Sequence, residues 1–165
     1  FFMHSSGIAL ANQGLAFLGR SGAGKSTVAE MFPKESVLND DMHFVHLDGE
    51  QPWLYPTPFS GSYNVRGPIK KIRFCHAFEL VQAEDTKVRA LNHQEALRIL
   101  LNCIPQPTGC SAFEDKLFLH ATDVVKALSF YRLDFRIDAA STRKIIDDLV
   151  KEKHATESKL SRSDP

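Results

Sequence analysis

The sequence predicts an α/β fold in which a mixed sheet with β-hairpins surrounds a glycine-rich loop, and helices occupy the C-terminal half. Short apolar runs separated by turn signals predict the sheet, and a glycine-rich segment follows one of these runs directly. Apolar residues recur at helical spacing after residue 92, which predicts the helices. With 165 residues, 43% of them hydrophobic, the chain can bury the core of one domain.

Charge and composition exclude several classes of partner. Lysine and arginine total 20 and aspartate and glutamate total 20, so the formal net charge is zero. Without a net positive field, we expect no nucleic-acid partner and no attraction to an anionic membrane surface. No run of about 18 apolar residues is present to span a bilayer. Three cysteines without a CxxC pair predict a protein of the reducing cytoplasm.

The elements follow from local patterns along the chain. The turn Asn12-Gln13-Gly14 separates two apolar runs and predicts a hairpin, and Asp48-Gly49-Glu50 predicts another. Pro33 is expected to end the short helix that follows the glycine-rich loop. The predicted strands cover residues 8–11, 15–18, 37–38, 42–47, 51–55, 69–80, 87–91 and 131–137. The predicted helices cover residues 26–32, 93–103, a segment that begins at Ser111, and 141–150.

No repeat and no internal boundary divides the chain. We therefore expect a single domain over residues 1–150, followed by a polar C-terminal tail over residues 151–165. Residues Thr57–Gly67 are rich in proline, glycine and hydroxyl side chains, and a loop of this length inside a compact domain is often functional. We expect it to be a mobile loop that covers the site.

The glycine-rich segment matches the phosphate-binding loop (P-loop) pattern GxxxxGK[ST] at every defined position. Glycines allow successive backbone N–H groups to face a phosphate, and the lysine supplies a positive charge to its oxygens. The serine hydroxyl is the position that ligates Mg²⁺ in such loops. The predicted nucleotide-binding residues are Gly19, Arg20, Ser21, Gly22, Ala23, Gly24, Lys25, Ser26 and Thr27.

Three further positions can complete a phosphoryl-transfer site. Asp40 and Asp41 follow a short apolar strand, and one acid can hold Mg²⁺ while the other accepts a proton from an attacking hydroxyl. Adjacent residues at a strand end point to opposite faces, so we expect the two acids to have separate roles. Arg66 in the proline- and glycine-rich loop can clamp a transferring phosphoryl group. His43 and His46 are expected on opposite faces of a strand, which argues against a shared metal.

The order of these motifs resembles the HPr kinase/phosphorylase family, which shares its nucleotide-binding core with ATP-type phosphoenolpyruvate carboxykinases. The similarity rests on His4 before a strand hairpin, Gly19–Ser26, the Asp40-Asp41 pair and Val65-Arg66-Gly67. It covers residues 4 to about 67 and is greatest with the short relatives that include peptide-modifying kinases. Asn64 departs from the family pattern, because a glutamate of the Glu-Ile-Arg-Gly signature falls there.

The resemblance implies an ATP- and Mg²⁺-dependent kinase that phosphorylates a hydroxyl, in particular a serine of a protein or peptide. It implies that Asp41 is the catalytic base, that His4 tunes it and that Asp40 lies near the metal, although the two acids can exchange these roles. Lys25 and Arg66 would act on the phosphates, and Ser26 would join Asp40 at Mg²⁺. The formation of a homo-oligomer is left open. Two alternative functions are also left open: a small-molecule P-loop kinase and a nucleotide-binding regulatory module without turnover.

Overall fold

The computed structural model describes residues 1–59, 61, 71–105 and 111–160, with the backbone alone for residues 111, 112 and 153–160. Within these residues nine strands form one sheet, and four α-helices accompany it. The strands are β1 (Phe2–His4), β2 (Ser6–Leu10), β3 (Gln13–Leu18), β4 (Val37–Asn39), β5 (Met42–Asp48), β6 (Gln51–Pro56), β7 (Ile72–Gln82), β8 (Lys87–Ala90) and β9 (Ser129–Phe135). The helices are α1 (Lys25–Glu30), α2 (His93–Cys103), α3 (Ser111–Ala127) and α4 (Ala139–Leu160).

The long strand β7 joins the two parts of the sheet. Its first residues pair with β6 in antiparallel fashion, and its later residues pair in parallel with β3 on one side and β9 on the other. The strand order is β1-β5-β6-β7-β3-β2-β4, and β9 continues from β7 to β8. The predicted mixed sheet with hairpins is thus confirmed, and the two predicted hairpins are β2–β3 and β5–β6.

Each face of the sheet carries its own apolar core. The helices α2 and α3 cover one face, where residues such as Leu100 and Val124 pack against Leu18 and Ala77 of the strands. The helices α1 and α4 cover the other, where Val28 and Ile146 pack with the residues Phe17, Phe78 and Leu133. This arrangement leaves the carboxyl ends of the parallel strands β3, β7 and β9 at one edge, between the two helix layers. In the described part of the chain, no helix combines the length and apolar character that crossing a membrane requires.

Two features differ from the sequence-based expectation. The first strand pairs with β5, so β1 belongs to a different ladder from β2, which follows it by one residue. The helix α4 continues past its expected end at Val150 to Leu160, so residues 151–160 of the expected polar tail are helical. The predicted strand over residues 69–80 is found as Ile72–Gln82; residues 69 and 70 lie outside the described part.

His43 on β5 is a buried histidine at the point where the two ladders meet. Its side chain is fully buried, and its Nδ1 is 2.9 Å from Ser5 Oγ. Its Nε2 faces Gly7, where an added Cβ would lie only 2.5 Å away. Burial disfavours the imidazolium and lowers the pKa of His43 to about 4, with a smaller opposing effect from the Ser5 backbone. His46 on the same strand is exposed, as expected from strand alternation.

This burial predicts a pH-dependent stability. Because the unfolded chain binds a proton at His43 below pH 6.5 and the folded chain does so only near pH 4, folding loses stability as the pH falls through this window. From pH 7 to pH 5 the loss is about 2 kcal/mol, measured as the free energy of unfolding in urea. The variant His43→Gln should lack this increment, and His46→Gln should retain it. Equal pH dependence in wild type and His43→Gln would contradict the assignment.

Candidate active site

The glycine-rich loop joins β3 to α1 in a shape that requires glycine at two positions. Gly24 has a φ of +98°, and a Cβ there would lie 2.6 Å from the Cζ atom of Phe135. Gly19 has a φ of +151°, and a Cβ there would lie 2.8 Å from the Cβ of Ala23. Larger residues at either position would therefore force the loop or its neighbours to move. The close approach of Phe135 to Gly24 and of Ala23 to Gly19 therefore restricts the backbone conformation of the loop.

Lys25, the first residue of α1, is the buried cation of this loop. It is 8% exposed, and its Nζ donates hydrogen bonds to the carbonyl oxygens of Gly19 at 3.0 Å and Arg20 at 3.2 Å. Burial lowers the pKa of Lys25, and smaller effects of Cys103 and of the Asp41 carboxylate act in the opposite direction. The ammonium group has three protons, so one remains for a further acceptor. A buried ammonium held by neutral carbonyls is a favourable place for an anion.

The loop forms one wall of a cleft of about 850 Å³, called the polar cleft below. The parallel register of β3 and β7, with Leu18 opposite Glu79, brings the end of β7 beside the loop. Residues of this strand end, including Glu79 and Gln82, line the cleft together with residues 19–23 of the loop. One face of α2 forms the remaining wall, through Arg98, Ile99, Asn102 and Cys103. The amide of Gln82 donates to the Gly22 carbonyl oxygen at 3.1 Å and ties the strand end to the loop.

Cys103 lies against the loop from the α2 side. Burial raises the pKa of its thiol, and the Gly19 N–H and the Lys25 charge act in the opposite direction. Cys103 is 7% exposed and belongs to the apolar core beneath α2. It lines the polar cleft at the point where the apolar core meets the glycine-rich loop.

The two adjacent acids have different surroundings. Asp41 lies with its Oδ1 3.0 Å from His4 Nε2, and the two side chains are 34% and 42% exposed. His4 also lines the polar cleft, and the Asp41 charge acts on Lys25. Asp40 is 3% exposed, and its Oδ1 accepts a hydrogen bond from the Gly61 backbone N–H at 2.9 Å. Of the two carboxylates, Asp41 is the one that solvent and a substrate can reach.

Asn39, at the end of β4, holds the acid turn against the segment that follows β6. Its Oδ1 accepts from the backbone N–H of Asp41 at 2.9 Å and of Met42 at 3.4 Å. Its Nδ2 donates to the carbonyl oxygens of Thr57 and Phe59, both at 2.7 Å. Because Oδ1 faces two N–H donors and Nδ2 faces two carbonyl acceptors, the orientation of this fully buried amide is fixed. The backbone position of Asp41 therefore depends on Asn39.

The structure brings together most of the residues that the sequence singled out. Residues 19–23 and His4 line the polar cleft, and Asp41 lies beside it in contact with His4, whereas Asp40 faces the segment at Gly61. Arg66 lies outside the described residues, as do most residues of the predicted mobile loop; residues 57–59 of that loop are tied down by Asn39. Among described residues, no group of three or more His, Cys, Asp or Glu side chains can hold a metal.

Several residues of the site were missed by sequence analysis. Asn39, which stands between the buried strand and the two acids, is not among the residues that the sequence singles out. Its position directly after a buried strand was the signal that could have identified it. Glu79, Arg98 and Asn102 reach the cleft only through the pairing of β3 with β7 and the packing of α2, which no local pattern encodes.

Comparison with known proteins supports the fold. No protein-family model matches the chain, and no curated protein matches its sequence. Among solved structures, the Hpr(Ser) kinase/phosphatase from Coxiella burnetii is similar, with a TM-score of 0.56 and 10% sequence identity. The similarity covers 99% of this chain and 96% of that chain. It confirms the fold that the motifs implied, and identity this low shows the fold alone.

The Asn39 side chain links four backbone groups, so replacing its amide nitrogen by oxygen is expected to destabilise the fold strongly. In Asn39→Asp, a carboxylate oxygen replaces the Nδ2 donor and faces the carbonyl oxygens of Thr57 and Phe59. Two lost hydrogen bonds and a buried charge should lower the free energy of unfolding by on the order of 3 kcal/mol. Urea unfolding measures this loss, and amide hydrogen exchange at Gly61 should accelerate.

The matched control is Asn12→Asp in the exposed turn between β2 and β3, where a shift below about 0.5 kcal/mol is expected. Equal stabilities of the Asn39 and Asn12 variants would show that the Asn39 amide does not hold the acid turn.

Proposed function

We propose that this protein is an ATP- and Mg²⁺-dependent kinase that transfers the γ-phosphoryl group to a hydroxyl, in particular the hydroxyl of a serine in a protein or peptide. One observation carries the proposal: a single cleft contains both the glycine-rich loop of Lys25 and the histidine that is hydrogen-bonded to Asp41. A phosphate-binding loop on the cleft and an accessible carboxylate beside it are the two groups that phosphoryl transfer to a hydroxyl needs. The similarity of fold to an Hpr(Ser) kinase/phosphatase supports the same class of reaction.

The chemistry assigns a separate task to each group. The hydroxyl oxygen of the acceptor forms a bond to the γ-phosphorus, the bond from that phosphorus to the β–γ bridging oxygen breaks, and ADP leaves with the electron pair. The Asp41 carboxylate accepts the hydroxyl proton. His4 holds Asp41 through Oδ1 and leaves the second carboxylate oxygen to face the acceptor.

Lys25 and the loop backbone bind and orient the phosphates. The remaining Nζ proton of Lys25 donates to a phosphate oxygen, and the burial of this ammonium strengthens the interaction. Mg²⁺ would be held by the Ser26 hydroxyl and phosphate oxygens, with Asp40 as the second candidate, and would neutralise charge that develops on the phosphates. Arg66 remains the residue proposed to bind the transferring phosphoryl group.

The phosphate site is tested by removing its cation. Lys25→Ala should weaken binding of an ATP analogue by about 2–3 kcal/mol, because a charge-assisted hydrogen bond is lost. This is roughly a 30- to 150-fold increase in Kd, which isothermal titration calorimetry in the presence of Mg²⁺ measures directly. Lys144→Ala removes an exposed lysine of α4 and serves as control. Unchanged affinity in a folded Lys25→Ala protein would refute the phosphate site.

The two acids are distinguished by their effects on rate and on binding. Asp41→Asn should slow phosphoryl transfer from labelled ATP to serine peptides by about 10²- to 10⁴-fold, since a general base is lost. Nucleotide affinity should change little, and Asp148→Asn on the exposed surface of α4 should leave both properties intact. If Asp40→Asn abolishes transfer and Asp41→Asn does not, the roles of the two acids are exchanged.

A further inference from the structure

A second cavity lies on the same face of the β1–β5 ladder as His4. The register of β1 and β5 places Phe2 opposite Phe44 and His4 opposite Met42, so these four side chains share one face of the sheet. His4 lines the polar cleft, whereas Phe2, Met42 and Phe44 line a separate cavity of about 800 Å³. We call this cavity the aromatic groove. The two cavities therefore adjoin at the histidine that holds the proposed base.

The aromatic groove is apolar and open. Phe59 and Phe113 complete its walls with Ile104 and Leu117, and Lys116 and His120 are the titratable side chains among its lining residues. The exposed fractions are 45% for Phe2, 37% for Phe44, 53% for Phe59 and 45% for Phe113. Several large aromatic side chains exposed together on one concave surface are typical of a binding site, whereas single exposed apolar residues are common on any protein surface.

The groove is also held in shape before any partner binds. The Phe2 ring contacts Phe44 at 5.3 Å and Phe59 at 6.4 Å between centroids, both edge to face. The backbone of Phe59 is fixed by Asn39, the residue that also fixes Asp41. A rigid apolar wall loses little conformational entropy on binding. The same amide therefore sets the distance between the groove and the proposed base.

We propose that the aromatic groove binds a bulky apolar side chain of the polypeptide that accepts the phosphate, within one or two residues of its hydroxyl residue. This inference rests on the proposed kinase function. The nucleotide would occupy the polar cleft, so the acceptor must approach Asp41 from the other side, where Met42 and Phe44 continue the same face. A sugar or other polar metabolite has no apolar surface to match these rings, whereas an extended peptide advances about 3.3 Å per residue and can place both groups.

The test uses pools of synthetic peptides with a central serine and one fixed flanking residue, together with labelled ATP and Mg²⁺. Pools with Phe, Leu, Ile or Met fixed at one flank should be labelled at least roughly tenfold more than pools with Asp, Lys or Gly. Phe44→Ser should abolish this preference, and Phe113→Ser on the opposite wall provides a second, independent variant. Ile137→Ser changes an exposed apolar residue that is not part of the groove and should keep the preference.

Each outcome decides between the alternatives. Labelling without an apolar preference, or a preference that persists in both groove variants, overturns the inference. So does a result in which ATP binds but no peptide is labelled, because the acceptor is then not a short polypeptide. If both groove variants unfold at lower temperature and the pools show no preference, a segment of the chain itself fills the groove. Failure of the wild-type protein to bind ATP would instead overturn the proposed function on which the inference depends.

Discussion

The chain crosses between two strand ladders at Ser5 and at Asp40–Asp41, and the arrangement of the site depends on this crossing. The β1–β5 ladder ends where the β2–β4 ladder begins. Ser5 N–H donates to the Asp41 carbonyl oxygen at 3.0 Å, and Ser6 Oγ donates to the Asp40 carbonyl oxygen at 3.1 Å. The two crossing segments are thereby tied side by side, and His4 and Asp41 leave them at the same point.

Buried polar groups restrict the relative position of the two crossing segments more than apolar packing could. The imidazole of His43 lies beneath it against Gly7, and the amide of Asn39 binds four backbone groups around it. A buried amide such as that of Asn39 is stabilising only when its partners are all in place, so it selects this arrangement of the two segments over alternatives. The result is a division between the two acids: Asp40 is held in the interior, and Asp41 is presented beside the polar cleft.

Local patterns were sufficient for the parts of the fold that depend on neighbours in sequence. The hairpins β2–β3 and β5–β6, the short helix α1 and the capped helix α2 follow from turn residues, Pro33 and helical periodicity. The glycine-rich loop was recognised for the same reason, since its spacing is a local requirement of phosphate binding. Pairing of β1 with β5 and of β3 with β7 joins residues about 40 and 60 positions apart, and tertiary burial decides such pairs. The positions of Glu79 and of the aromatic groove arise from those pairs and could not be predicted, whereas the buried strand before Asn39 was a local signal for its role.

The central claim is that a phosphate held by Lys25 lies within reach of Asp41. A crystal structure of the protein with Mg²⁺ and a non-hydrolysable ATP analogue measures this directly. The account predicts that the analogue occupies the polar cleft, with a γ-phosphate oxygen about 3 Å from Lys25 Nζ and the γ-phosphorus facing the free side of the Asp41 carboxylate. An analogue bound away from residues 19–27, or a γ-phosphate separated from Asp41 by the body of the loop, would contradict it.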